Sequence, residues 1–201
     1  MKLYRKREKT FPSRVEADGK LYHIDADYRN ILRIFAVLKD AKVPEEKRVE
    51  KLIQWFFAGA DGADLPHEAA IKAFLDFVNP PDESESMQVT DDGERDGDDE
   101  KRFDYDFDAE EIYAGFLSEY GIDLVEVEFL HWCKFKILLG NLSGESAFRK
   151  KIELRFMDLS GFTGQHLAGL SKAKESVQLP VEYSEDELRD MREFESVWGN
   201  L

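Results

Sequence analysis

Apolar positions alternate at the start of the chain and recur at helical spacing over most of its remaining length. Arg14 to Ile24 reads as a β-hairpin around Asp18-Gly19, a dipeptide suited to a type I′ turn because both residues tolerate positive φ. A two-residue turn pairs Ala17 with Lys20 and Val15 with Tyr22, and gathers Phe11, Val15, Ala17, Tyr22 and Ile24 on one face, with Leu21 left on the other. Two strands alone are marginal in water, so this hairpin must pack on something. From Tyr28 to Lys39 an apolar stripe of Ile31, Leu32, Ile34, Phe35 and Leu38 predicts a helix. Pro44, suited to a first helical position, opens a second helix through Val49, Leu52, Ile53, Phe56 and Phe57. Pro66 opens a third through Ile71, Phe74, Leu75 and Val78, which Asn79-Pro80-Pro81 ends.

Further along, three helix starts share one device. Asp108 precedes Glu111, Asp123 precedes Glu126 and Ser184 precedes Glu187, the spacing of a capping box. Each has a matching hydrophobic staple: Phe107 with Ile112, Ile122 with Val127, Tyr183 with Leu188. These signals predict helices from Asp108 to Tyr120, stopped by Gly121, and from Asp123 to about Leu139, stopped by Gly140. Periodicity adds Ser146 to Leu159, with Phe148, Ile152, Phe156 and Leu159 on one side, then Gln165 to Ser176 and Ser184 to Val197. Phe103, Tyr105 and Phe107 alternate with Asp104, Asp106 and Asp108, which predicts a short extended arm with its aromatics on the core. The fold class is mainly α, with a small N-terminal β-hairpin.

Charge sharpens the organisation. The 201 residues carry a formal net charge of −15, but Asp82 to Asp108 alone holds 13 acids against 3 bases, a net of −10. From Asp82 to Glu100 the only clearly apolar side chains are Met87 and Val89, too few to offset the entropy of ordering that stretch. The chain therefore reads as an N-terminal unit over 1–81, a flexible acidic linker over 82–103 and a C-terminal helical unit over 104–201. The balance of charge argues against a protein that grips nucleic-acid phosphate, which takes clustered Lys and Arg. Cys133 is the single cysteine, so an intramolecular disulfide and a cysteine-based zinc site are excluded. No apolar run approaches the roughly 18 residues needed to span a bilayer, and the basic Met1 to Thr10 lacks the apolar stretch of a secretory signal. The expectation is a soluble, cytosolic protein.

Few residues suggest chemistry. Asp92, Glu94, Asp96 and Gly97 fall at positions one, three, five and six of a calcium loop, but Phe103 stands where the bidentate Glu belongs. A solvated acidic linker explains them better. Two residues apart on the predicted helix, His131 and Cys133 do not face each other. Glu128-x-x-His131 has the spacing used in di-metal carboxylate bundles, yet none of His23, His67 and His166 has a Glu three before it, so a surface salt pair is expected instead. There is no glycine-rich phosphate loop or nucleophile elbow. No catalytic residue, cofactor or metal is assigned, and an enzyme is not expected. What stands out is the helix predicted from Asp123, apolar around most of its circumference through Leu124, Val125, Val127, Phe129, Leu130, Trp132 and Phe135. A helix of that kind is either central or shares a face with a partner.

The order of motifs carries a resemblance. Asp18-Gly19-Lys20-Leu21-Tyr22 leads to Asp27-Tyr28-Arg29; after the charged linker come Tyr105-Asp106-Phe107, Ile112-Tyr113-Ala114-Gly115-Phe116, Tyr120-Gly121-Ile122-Asp123-Leu124, His131-Trp132-Cys133-Lys134-Phe135 and Met157-Asp158-Leu159-Ser160. The chain resembles the bacteriophage gene-product-fifteen family of Gram-positive siphophages and prophages, most closely from Tyr105 to Ser160 and least from Gly161 to Leu201. The family commonly carries a second aromatic at the position of Cys133, which argues further against a thiol role. Its genes lie in the tail module, and by that position its members are thought to act as tail assembly chaperones. The resemblance thus implies a non-enzymatic protein in the cytoplasm of the infected or lysogenic host, binding the tape measure protein or other tail proteins, while charge and the lack of a long apolar run argue against nucleic acid and membrane as partners. It supplies no catalytic residues and no oligomeric state. Phe129, Trp132 and Phe135 are the candidate partner-binding residues, near a groove between helices. The alternatives are a structural component retained in the virion tail and, more weakly, an acidic DNA mimic.

Overall fold

The hairpin forms as its turn dictates. In the computed structural model, which describes residues 11–58, 64–80 and 102–180, β1 (Arg14–Ala17) pairs antiparallel with β2 (Lys20–His23). Val15 faces Tyr22 and Ala17 faces Lys20, the expected register. Asp18 and Gly19 take φ of 47° and 71°, the left-handed values that a type I′ turn demands. The hairpin packs on the third helix and on the residues that end the second: Ile24 bridges Phe57, the Ala58 N–H donates to the His23 carbonyl, and Tyr22 meets the Phe57 ring edge-on at 5.6 Å.

Three helices come next, as the apolar stripes predict: α1 (Tyr28–Lys39), α2 (Glu45–Phe56) and α3 (His67–Val78). Pro44 and Pro66 sit one position earlier than expected, as the capping residues. Their carbonyls accept the first helical bonds, from Arg48 and Ala70 at 3.0 Å each. Ile31, Ile34, Leu52, Phe56, Phe74 and Val78 are buried between these helices.

The chain divides into two compact units, but between Lys150 and Lys151. Residues on both sides of the acidic stretch share the first unit's core. Rings run in continuous contact from Phe56 to Phe74 at 5.1 Å and Phe74 to Phe35 at 5.7 Å. They continue from Phe35 to Trp132 at 5.7 Å, Trp132 to Phe135 at 5.7 Å and Phe135 to Phe116 at 5.1 Å. Phe103, the last residue assigned to the linker, is 3% exposed and meets Phe148 edge-on at 5.4 Å. Residues 82–101 of the linker, with the calcium-loop positions Asp92, Glu94, Asp96 and Gly97, lie outside the described residues, as does the helix expected from Ser184.

Two local expectations are corrected. The arm before α4 (Ala109–Tyr120) is coiled rather than extended. The Asp104 carboxylate accepts from the N–H groups of Asp106 and Phe107, and the Asp108 N–H donates to the Asp104 carbonyl at 2.9 Å. This turn buries Asp108, whose carboxylate accepts from the Asp104 N–H instead of capping the helix, and leaves Phe107 at the surface. Gly121 ends α4 as expected, at φ 62°.

The larger correction concerns the helix expected from Asp123. Its capping signal is real: Asp123 accepts from the N–H groups of Val125 and Glu126, and the Val127 N–H bonds the Asp123 carbonyl at 2.9 Å. That single turn does not propagate. The Tyr28 N–H donates to the Leu130 carbonyl at 2.9 Å and the Trp132 N–H to the Ala26 carbonyl at 2.7 Å, so the backbone groups a helix would use are committed to the segment entering α1. The helix that forms, α5, covers only Trp132–Gly140, capped by His131. Long-range pairing here overrides local propensity.

Next, α6 (Ala147–Phe156) begins after Ser146, whose Oγ accepts from the Arg149 N–H; its residues to Lys150 belong to the first unit. Phe148 and Ile152 are buried as expected, whereas Phe156 is exposed and Leu159 lies beyond the helix. The second unit continues into α7 (Gly164–Ser176). There the buried Arg155 donates to the Val177 carbonyl at 2.7 Å, Lys174 to the Met157 carbonyl at 2.8 Å, and Asp158 accepts from the Ser160 N–H at 2.9 Å.

These burials predict sharply different costs for two neighbouring aromatics. Trp132→Ala should destabilise by about 3–5 kcal/mol, as large-to-small changes in a packed core do, while Phe129→Ala should stay within about 1 kcal/mol. Urea denaturation of both variants checks this.

Candidate functional site

The extended segment that replaces the expected helix is held by one carboxylate. Asp27 caps α1 by accepting from the Arg29 N–H at 3.0 Å. It also accepts from the Arg29 guanidinium, through both of its oxygens, at 2.9 and 3.2 Å. Oδ2 further accepts from the Leu130 N–H at 3.1 Å, 103 residues away. The same guanidinium donates to the Glu128 carbonyl at 2.8 Å. Burial alone would raise the Asp27 pKa, but the hydrogen bonds from Arg29 and from the Leu130 N–H outweigh it and hold the carboxyl below its ordinary value of 3.8.

On the core side of this segment lies His131. Its Nδ1 accepts from the Cys133 N–H at 3.1 Å, which places the ring proton on Nε2, 3.0 Å from the Pro12 carbonyl. The ring stacks on Phe11 at 5.0 Å. Both nitrogens are therefore occupied, and the surface salt pair expected with Glu128 does not form. Burial lowers the His131 pKa below 6.5, against the opposing pull of the Pro12 carbonyl.

Outward, the segment displays Phe129, 57% exposed, and Val125, 70% exposed. Phe129 and Glu128 line a shallow depression of about 430 Å³ with Asp25, Asp27, Arg29, Asn30 and Arg33. Its far wall is fixed by Asn30, whose side-chain amide donates to the carbonyls of Trp55 at 2.7 Å and Asp25 at 3.2 Å. Of the three candidate partner-binding residues, the structure places only Phe129 at this surface. Trp132 and Phe135 are 2% and 1% exposed, with Phe135 stacked on Tyr28 at 4.8 Å. Arg29, Asn30 and Arg33 carry no signal of a site in the sequence, where they read as the polar face of α1. No group of three or more His, Cys, Asp or Glu side chains capable of holding a metal occurs among the described residues, and no helix among them is long and apolar enough to cross a membrane.

The two titrating groups predict an acid-side loss of stability in two steps. His131, with its pKa depressed in the folded state, contributes stability that is complete above 6.5 and is lost as pH falls through its lower folded value. His131→Asn keeps a capping side chain without the titration, so the stability of the parent relative to this variant should decline from pH 7 to pH 5. Asp27 behaves likewise below 3.8. Asp27→Ala at neutral pH should cost at least the roughly 0.5–2 kcal/mol of a lost cap, since the Leu130 N–H also loses its acceptor. Thermal melts across pH check both.

The open depression brings together one apolar side chain, two guanidinium groups and three carboxylates. No curated protein and no solved structure is similar enough to the chain to match it. The family model for the bacteriophage Gp15 protein matches residues 8–179. That match covers the hairpin, the Asp27 clamp, the depression and both described units up to the end of α7, and the chain belongs to the bacteriophage Gp15 protein family.

Proposed function

We propose that this protein is a non-enzymatic tail assembly chaperone that docks amphipathic helical segments of the tape measure protein on the face around Phe129. Membership of a phage family supports a structural or assembly role with other phage proteins as partners. The observation that carries the finer reading is the display of Phe129 and Val125 on a segment held out of helical conformation by Asp27. A large aromatic kept at the surface by long-range hydrogen bonds, next to a depression lined by both charges, suits an apolar stripe flanked by polar residues. A tape measure is a long helical chain whose apolar stripes would associate before the tube encloses them. Covering them one segment at a time would keep it soluble. The net −10 between Asp82 and Asp108 would add charge repulsion between loaded complexes.

Trp132 and Phe135 enter this reading as the support beneath the face rather than as contacts. Co-expression with the tape measure of the same phage should raise its soluble fraction and yield a co-purifying complex, and Phe129→Asp should abolish both while leaving the protein folded. An unchanged soluble fraction refutes the chaperone role. Stoichiometric recovery of the protein in purified particles favours instead a component of the finished tail.

A further inference from the structure

Four residues along α1 from Arg29, Arg33 lines the same depression in a different state. Arg29 is committed, to both Asp27 oxygens and to the Glu128 carbonyl. The exposed Arg33 guanidinium carbon lies 3.5 Å from the centroid of the Trp55 ring, and among the described residues no carboxylate or carbonyl accepts from it. A guanidinium over an aromatic face keeps its N–H donors at its edges, where they remain available. Trp55 is itself anchored, its carbonyl held by Asn30, and Lys51 lies 5.7 Å from the same ring. The cation is thus positioned before any ligand arrives, which reduces the side-chain entropy lost per bond formed.

We propose that Arg33, laid over Trp55 beside the exposed Phe129, is the docking point for a carboxylate carried by an amphipathic partner helix. Two features select that occupant. Phe129 offers apolar area that a free anion would not use. Asp25 and Glu128, on the rim with it, repel a polyanion such as nucleic acid but accept from a lysine or a free N–H of a peptide. The fitting ligand therefore sets one acid three or four positions from an apolar residue, the spacing that places both on one helix face, with its acid toward Arg33 and its apolar side chain on Phe129. This deepens the reading of the face as a partner surface and specifies which segments it accepts.

The test uses the full chain and two synthetic alanine-rich helices with a leucine stripe. One carries a single Glu four positions from a leucine; its twin carries Gln there. The Glu helix should bind about tenfold tighter by calorimetry, the ratio expected from one hydrogen bond to a charged group. Arg33→Gln should erase that ratio, Arg33→Lys should recover part of it, and Phe129→Ala should weaken both helices alike. Equal binding of the twins, no binding of either, or self-association of the chain through this face in place of peptide binding each overturns the proposal. If the twins differ as stated while tape-measure solubility is unchanged, the docking chemistry stands and the tape-measure reading falls. If solubility rises while the twins bind equally, the reverse holds.

Discussion

The Asp27 carboxylate does two jobs at once, and much of the first unit's geometry depends on their being done by one group. It caps α1 through the Arg29 N–H and, through the Leu130 N–H, fixes a segment that arrives from the far side of the acidic stretch. The bonds from Tyr28 to Leu130 and from Trp132 to Ala26 align with it. Together they set where α5 begins. That start sends Trp132 and Phe135 into the core against Phe35 and Tyr28, and leaves Phe129 outside. A local capping interaction thereby becomes a long-range one, and core and surface are assigned in the same step.

Energetically the clamp sits on a robust base. A run of edge-to-face and stacked rings from Phe56 to Phe116 fills the unit, and such pairs add to the burial of their area. Against that base, the hydrogen bonds of Asp27 and His131 contribute modestly but decide conformation. A few kcal/mol in the right place suffices to turn a segment with helical capping signals into an extended strap.

This division explains which features are legible in the sequence. The hairpin, α1 to α4, α6 and α7 arise from turn dipeptides, prolines, stripes and Gly121, all features within a dozen residues of one another. The failure at Asp123 has a physical cause: its carboxylate caps a single turn, and what ends the helix is Asp27, which no local pattern connects to Leu130. The coiled arm at Asp104 to Asp108 is similar, since alternating Asp and aromatic residues suit either a strand or Asx turns and the side-chain bonds of Asp104 decide. Gly115, in the sequence only one letter of a motif, owes its place to packing: a Cβ there would come within 2.9 Å of the Leu142 side chain. Phe129, Trp132 and Phe135 are legible as important aromatics, but sorting one to the surface and two to the core requires the long-range bonds. Arg33 is invisible for the opposite reason. An exposed arginine on a helix is common, and only its position over Trp55 sets it apart.

The clamp requires that Asp123 to His131 is not a continuous helix and that Asp27 holds it with Phe129 outward. Carbon-13 Cα chemical shifts across Asp123 to Phe135 address this residue by residue. The expected pattern is one helical turn at Leu124 to Glu126, non-helical shifts from Glu128 to His131 and helical shifts resuming at Trp132. Unbroken helical shifts from Asp123 through Phe135 would contradict it.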